Sequence, residues 1–214
     1  KQVEKMSDNY AYLLDGALYI NLTNACTNNC VFCIRDLNSK VKDKNLWLEK
    51  EKFTPQDVIE QIKKLEPQQQ REFVFCGYGE PIIKLDHIKE ISKFLKENYP
   101  EKKIRINPNG HGNLIHKRDI VPELKGLIDK VSVSLNGENA ELYGKISQPT
   151  YSPETAYQAV LDFIKECSEN GIDTTATIVT GYKDFKPDVE KCREIAENLG
   201  AKFRIREWLD EGYN

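Results

Sequence analysis

The 214-residue chain carries 31 basic and 34 acidic side chains, for a formal net charge of −3 and a pI of about 5.8, so nothing in its charge supports nucleic-acid binding. Hydrophobic residues at 39% and charged residues at 30% suit a globular chain with a sizeable core, which excludes a disordered polyelectrolyte. No apolar run approaches the ~18 residues of a spanning helix and residues 1–10 are polar, so no membrane span and a cytoplasmic location are expected.

The length suits a single domain, with residues 1–16 as an N-terminal extension. Asp15-Gly16, a hairpin-turn pair, predicts an extra strand over 11–14 paired to a first core strand over 18–23. Residues 38–52, polar and rich in lysine from Lys40 to Lys44, read as an excursion or lid. Thr54-Pro55-Gln56-Asp57 then opens a helix whose apolar face is Val58, Ile59, Ile62 and Leu65. A strand over 72–75 precedes a helix marked by Ile88, Ile91 and Leu95, and strands follow over 103–107 and 130–135. Ser152-Pro153 starts a helix through Val160, Leu161, Ile164 and Cys167 to Gly171, a residue suited to a helix end. A strand over 174–180, a helix on Val189, Cys192, Ile195 and Leu199, and a strand over 202–206 complete the pattern. Repeated βα units imply parallel strands with right-handed crossovers. Six units are fewer than the eight of a closed barrel, so the fold class is α/β, a partial (βα)6 TIM-like barrel.

Six cysteines would suit a disulfide framework in a short, loop-rich secreted chain. Here Cys26, Cys30 and Cys33 crowd together while Cys76, Cys167 and Cys192 are scattered, which points to a ligand cluster plus ordinary thiols. Three thiolates spaced Cys-x3-Cys-x2-Cys are one short of a tetrahedral zinc site. Structural zinc with Cys76 or His87 as fourth ligand stays open, beside an iron–sulfur cube that keeps one iron for an outside ligand.

Each unusual loop follows a strand. The cysteines come after the first, Gly77-Tyr78-Gly79-Glu80-Pro81 after the second, Asn107-Pro108-Asn109-Gly110 after the third and Leu135-Asn136-Gly137 after the fourth. In a βα barrel these loops share the rim at the C-terminal strand ends, where such folds build sites. Phe32 offers a flat ring beside the cysteines, with core packing as the plain alternative. Gly77, Gly79 and Pro81 bend the strand end to expose backbone, and Glu80 adds an anion, although a simple turn explains that loop equally well.

The Cys-x3-Cys-x-aromatic-Cys run followed by a Gly-Glu-Pro loop resembles the radical S-adenosylmethionine (SAM) superfamily. Within it, Phe75-Cys-Gly-Tyr-Gly-Glu-Pro81, Gly110-His-Gly-Asn-Leu114, Arg118-Asp-Ile120, Val131-Ser-Val-Ser-Leu135 and Phe203-Arg-Ile-Arg206 resemble the TatD-linked radical enzymes, over residues 19–207. The resemblance implies that Cys26, Cys30 and Cys33 hold a [4Fe–4S] cluster whose open iron takes the amino and carboxylate groups of SAM. It implies that the backbone and acid of Gly77 to Pro81 hold that amino group. Asn107, Asn109, Ser132 and Ser134 would meet the ribose and carboxylate, and Ile178 and Val179 the adenine. Arg204 and Arg206 alternate with Phe203 and Ile205 and suggest an anionic group or a structural salt bridge. The third loop departs from the Thr-Asn-Gly or Thr-Asp-Gly form expected of relatives, which leaves its contact open. His111 and His116 are candidate proton donors, against the commoner surface histidine.

The resemblance thus implies an oxygen-sensitive enzyme that cleaves SAM to a 5′-deoxyadenosyl radical for hydrogen abstraction. Its electron donor would be a flavodoxin or ferredoxin, and its unidentified substrate a small molecule or nucleotide-like compound. Two other readings stand beside it: an activating enzyme that acts on a protein partner, and a non-catalytic zinc or iron–sulfur binding module.

Overall fold

Asp15 and Gly16, both at positive φ (49° and 76°), turn the chain between the antiparallel strands β1 (Ala11–Leu14) and β2 (Ala17–Ile20). The computed structural model describes residues 8–37, 40–41, 44–209 and 212–213. After β2 come a single turn, α1 (Ile34–Leu37), and a two-stranded ribbon of β3 (Lys40–Val41) and β4 (Lys44–Asn45). The next helix, α2 (Pro55–Lys63), starts at a reciprocal capping box in which Thr54 N donates to Asp57 Oδ2 (2.7 Å) and Asp57 N to Thr54 Oγ1 (3.3 Å). Then follow β5 (Glu72–Phe75), α3 (Leu85–Asn98), β6 (Lys103–Ile106), α4 (Gly112–His116), α5 (Val121–Leu124) and β7 (Lys130–Ser134). The remainder is α6 (Ala140–Ser147), α7 (Pro153–Glu169) capped by Ser152, β8 (Asp173–Thr180), α8 (Val189–Asn198), β9 (Lys202–Leu209) and β10 (Gly212–Tyr213).

One sheet runs in the order β1-β2-β5-β6-β7-β8-β9-β10 and does not close on itself. The six strands from β2 to β9 are parallel, with β1 and β10 antiparallel at the two edges. This is the partial (βα)6 barrel expected from the sequence. Alternation along each strand separates two faces. Leu18, Ile20, Phe73, Phe75, Ile104, Ile106, Val133 and Ala176 are buried in the core under the helices, where Ile88, Ile91, Val160 and Ile164 pack at 0% exposure. Each of the larger side chains among them stabilises the fold by about 1.5–3 kcal/mol of burial, and Ala176 by less. The alternate residues Tyr19, Glu72, Arg105, Ser132, Ser134, Thr175, Arg204 and Arg206 line the concave face, Ser132 opposite Thr175 and Arg206 opposite Val179.

The same alternation corrects one expectation. Ile178 is fully buried in the sheet–helix core, so it does not face an adenine at the mouth; Val179, one residue on, packs with Phe32. Of the stretch read as an excursion or lid, residues 38, 39, 42 and 43 lie outside the described residues, as do residues 1–7 of the extension. From Leu46 on, the chain folds back on the barrel: Leu46 and Leu48 are buried, and the Asn24 side chain pairs with the Leu48 backbone through both its amide atoms (2.8 and 2.9 Å).

Candidate functional site

The cysteine loop between β2 and α1 is clamped from two sides. On one side it lies along the end of α6, where Asn29 N donates to Ser147 O (3.0 Å), Val31 N to Ile146 O (2.9 Å) and Thr150 N to Thr27 O (2.9 Å). On the other, Gly79 N donates to Thr23 O (3.0 Å) and Glu80 N to Ala25 O (2.8 Å). This contact requires glycine, because a Cβ on Gly79 would collide with the Thr23 and Ala25 carbonyls and one on Gly77 with the Asn21 side chain. The glycines therefore serve loop-to-loop approach. The N–H groups of Gly79 and Glu80 are spent on the cysteine loop, contrary to the expectation of exposed backbone at Gly79. Tyr78 is buried against Tyr12 and Leu46 at the β1–β2 edge.

Glu80 holds a further junction. Its carboxylate accepts from Ile82 N (3.0 Å), capping the 3-10 turn that Pro81 begins, and from Asn109 N (2.7 Å) on the loop after β6. It is 3% exposed, and burial pushes its pKa up to about 7 against the pull of those two donors. Asn109 passes the connection on, since its amide donates to Thr27 Oγ1 (2.8 Å), lies 3.8 Å from Cys26 Sγ, and accepts from His111 N (3.0 Å). His111 is wholly buried, with Nδ1 2.8 Å from Thr27 Oγ1 and Nε2 2.8 Å from Tyr143 Oη, and burial lowers its pKa to about 4. It is thus a neutral interior bridge rather than a surface histidine. His116 is used elsewhere, its Nε2 2.7 Å from Ile82 O.

The three thiols stand in one another's field at this rim. Burial raises Cys26 to about 11 and Cys30 to about 12; Cys30 is lifted further by Cys26 and Cys33 and eased by Arg206. Burial also raises Cys33. Phe32 packs with Ile146, Val179 and Tyr182, edge-on to the Tyr182 ring at 6.0 Å, and Trp208 meets Tyr182 at 4.8 Å, forming an aromatic wall beside Cys30. Asn107, Ser132 and Ser134 are half-buried on the concave face, and Asn107 Oδ1 accepts from Arg105 (2.8 Å).

Among the described residues no three His, Cys, Asp or Glu side chains gather into a group that grips one metal ion. Thiolates on a single zinc stand within about 4 Å of each other. The candidate fourth zinc ligands are engaged apart from the triad: His87 Nε2 is 3.0 Å from Phe53 O, and the Cys76 thiol bonds Asn107. Three neighbouring soft thiols without a fourth ligand among the described residues fit an iron–sulfur cluster better than a single ion.

Comparison with known proteins agrees with this donor set: the sequence model of the radical SAM superfamily matches residues 20–196. The chain belongs to the radical SAM superfamily. Membership implies an enzyme that holds an iron–sulfur cluster and SAM. Among solved structures, TYW1 with a lysine–pyruvate adduct bound matches with a TM-score of 0.63 at 15% identity, covering 93% of this chain and 68% of that one. SuiB of Streptococcus suis bound to the precursor peptide SuiA gives 0.66 at 16% identity, covering 91% and 40%. Methylornithine synthase, PylB, gives 0.60 at 16%, covering 90% and 53%. At these identities the likeness is one of fold. The radical SAM chain spans about two fifths of the length of SuiB, half of PylB and two thirds of TYW1. No curated protein matches it.

The sequence pattern did not point to Thr27, Asn28, Tyr143 and Ser147, which seat the cysteine loop. Asn28 Nδ2 donates to Tyr143 Oη (3.4 Å) and Asn136 Nδ2 to Ser147 Oγ (3.0 Å). A signal for the junction was available at Gly110-His-Gly112. Gly110 has φ +89°, and side chains on either glycine would press into Val160 or Ile120, so the histidine is held inward.

Proposed function

We propose that Cys26, Cys30 and Cys33 bind a [4Fe–4S] cluster and that the chain cleaves SAM reductively, as a TatD-linked radical SAM enzyme. The observation that carries the reading is the set of three thiols, with no fourth ligand beside them among the described residues, on a loop clamped between the Gly77–Pro81 loop and α6 at the rim of an open barrel. When bound, cluster and SAM together supply a 5′-deoxyadenosyl radical that removes a hydrogen atom from a substrate. The chain's own part is to seat and shield. The aromatic wall of Phe32, Tyr182 and Trp208 keeps water from Cys30, while Gly77 and Pro81 shape the loop over the mouth. Asn107, Ser132 and Ser134 offer polar contacts on the concave face to ribose and carboxylate groups. Asn109 and Glu80 act at one remove, by fixing the loops. Six free thiols suit a reducing compartment such as the cytoplasm, and the electron donor would be a flavodoxin or ferredoxin.

The test is anaerobic reconstitution with iron and sulfide, followed by dithionite and SAM, with 5′-deoxyadenosine measured by mass spectrometry. The intact chain is expected to form it and Cys30→Ala to lose it. Zinc uptake without SAM cleavage would overturn the reading in favour of a structural metal module.

A further inference from the structure

The end of α6 brackets Cys30. Its carbonyls hold both chain neighbours of that cysteine, Asn29 N donating to Ser147 O (3.0 Å) and Val31 N to Ile146 O (2.9 Å). The Ser147 hydroxyl, fully buried, bonds both the Cys30 thiol and the Tyr143 phenol and accepts from Asn136 Nδ2 (3.0 Å). From Tyr143 the same network runs to His111 Nε2 (2.8 Å), and from His111 Nδ1 to Thr27 Oγ1 (2.8 Å). Thr27 Oγ1 also accepts from Asn109 Nδ2 (2.8 Å). The network thus leaves the cysteine loop at Thr27 and returns to it at Cys30. Cys26 has donors of fixed direction, Asn28 N at 3.4 Å and Asn109 Nδ2 at 3.8 Å. Cys30 faces a hydroxyl, whose direction the network decides.

Ser147 has one proton and two acceptors for it, the phenol and the sulfur. Burial keeps the His111 ring neutral, so the ring carries one N–H. With that hydrogen on Nε2, Thr27 donates to Nδ1, Nε2 to Tyr143, Tyr143 to Ser147 and Ser147 to Cys30 Sγ. Every hydroxyl proton of the network then has an acceptor. With the hydrogen on Nδ1, Tyr143 donates to Nε2, Ser147 can turn to the phenol, and the Thr27 proton has no acceptor within the network. A buried network is most stable when every member is satisfied, which selects the first arrangement. A hydrogen bond donated to a ligating sulfur favours the more negative, reduced state of an iron–sulfur cluster. We propose that Ser147, aimed by His111 through Tyr143, donates to Cys30 Sγ and thereby raises the reduction potential of the cluster, with His111 as a positioning residue. The inference rests on the cluster reading above and deepens it.

The experiment is a redox titration of the anaerobically reconstituted chain, followed by electron paramagnetic resonance of the reduced cluster. Circular dichroism and iron content confirm that each variant is folded and loaded. Ser147→Ala is expected to lower the ratio of reduced to oxidised cluster at a fixed potential by about tenfold, which is about 59 mV for one electron. His111→Leu should lower it by less, because the Ser147 proton is then shared between the phenol and the sulfur. Tyr143→Phe removes the competing acceptor, so it should keep the potential of the intact chain and restore that potential when combined with His111→Leu. Ser152→Ala is the control, since it removes only the cap that Thr155 N donates to (3.2 Å) and should titrate like the intact chain. The field of Arg206 at Cys30 is common to all of them. The proposal is overturned if Ser147→Ala titrates with the intact chain or if Ser152→Ala falls as far. It is also overturned if Tyr143→Phe fails to restore His111→Leu, because His111 would then act by packing alone. Where His111→Leu loads no cluster, Ser147→Ala against Tyr143→Phe decides, since only the sulfur bond requires a fall in the first and none in the second. A cluster whose potential ignores Ser147 sinks this inference alone; an intact chain that loads no iron–sulfur cluster sinks the cluster reading with it.

Discussion

Glu80 and His111 sit two hydrogen bonds apart in one buried network, through Asn109, and titrate in opposite senses. Burial raises Glu80 from 4.5 to about 7, so between those values the folded chain keeps a proton that the unfolded chain releases, and stability falls as pH rises. Burial lowers His111 from 6.5 to about 4, so the unfolded chain binds the extra proton there, and stability falls as pH drops through that window. Each contributes a slope of about 1.4 kcal/mol per pH unit, of opposite sign, and the two offset each other where the windows overlap. Urea unfolding of the cluster-free protein across a pH series should therefore show little slope in the overlap. His111→Gln should uncover the Glu80 slope, a loss of about 3 kcal/mol from pH 4.5 to 7. Glu80→Gln should uncover the rise from pH 4 to 6.5. Equal slopes in all three proteins would show that the two groups do not titrate as their burial dictates.

Among the elements, the two clamped loops respond to glycine in a way the barrel does not. Gly79→Ala drives a methyl group into two backbone carbonyls that have no free path to retreat, so the loops must part and the hydrogen bonds from Gly79 and Glu80 must break. Reconstituted Gly79→Ala should carry much less iron than the intact chain while its circular dichroism stays that of the barrel. Gly126→Ala, at φ +83° but facing open space, should cost about 1 kcal/mol of strain and leave iron uptake unchanged. Normal iron content in Gly79→Ala would show that the loop contact does not position the cysteines. The barrel was legible in the sequence because period-two and period-3.6 patterns are local: Glu72 to Phe75 and the Ser152-Pro153 helix start declare themselves within a few residues. Strand β9 runs on to Leu209 rather than stopping at Arg206, as Glu207 and Trp208 continue the alternation past a run of charge. Helix α6 went unread because only Tyr143, Ile146 and Ser147 are buried on its eight residues, too short a face to mark a period. The convergence of loops followed from topology alone. Their wiring did not, because bonds such as Thr27 to His111 join residues 84 apart and depend on side-chain packing that no local pattern encodes.

Across the whole molecule, burial is uneven along the barrel axis. The strands are held by a continuous apolar core under the helices, whereas the cysteine loop is held at the rim by a handful of backbone hydrogen bonds and one polar network. Its thiols add to the imbalance, since burial and mutual repulsion keep Cys26 and Cys30 protonated near neutral pH. On the proposed assignment, cluster binding to these cysteines would release those protons and exchange repulsion among thiolates for bonds to iron, so its free energy would go first into ordering the rim. Loading should therefore grow more favourable as pH rises toward the thiol range. The loaded protein should melt above the cluster-free one, and chelator treatment should reverse the gain. Hydrogen exchange should locate the effect, with new protection over residues 24–33, 77–80 and 109–111 and little change in β5 to β8. Amides of buried core strands generally exchange through global opening, so a local ligand is expected to slow them only by the amount it stabilises the entire fold. Protection spread evenly over strands and rim would mean that the loops are as stable without the cluster as the barrel is, and that the clamp alone sets the geometry of the three cysteines.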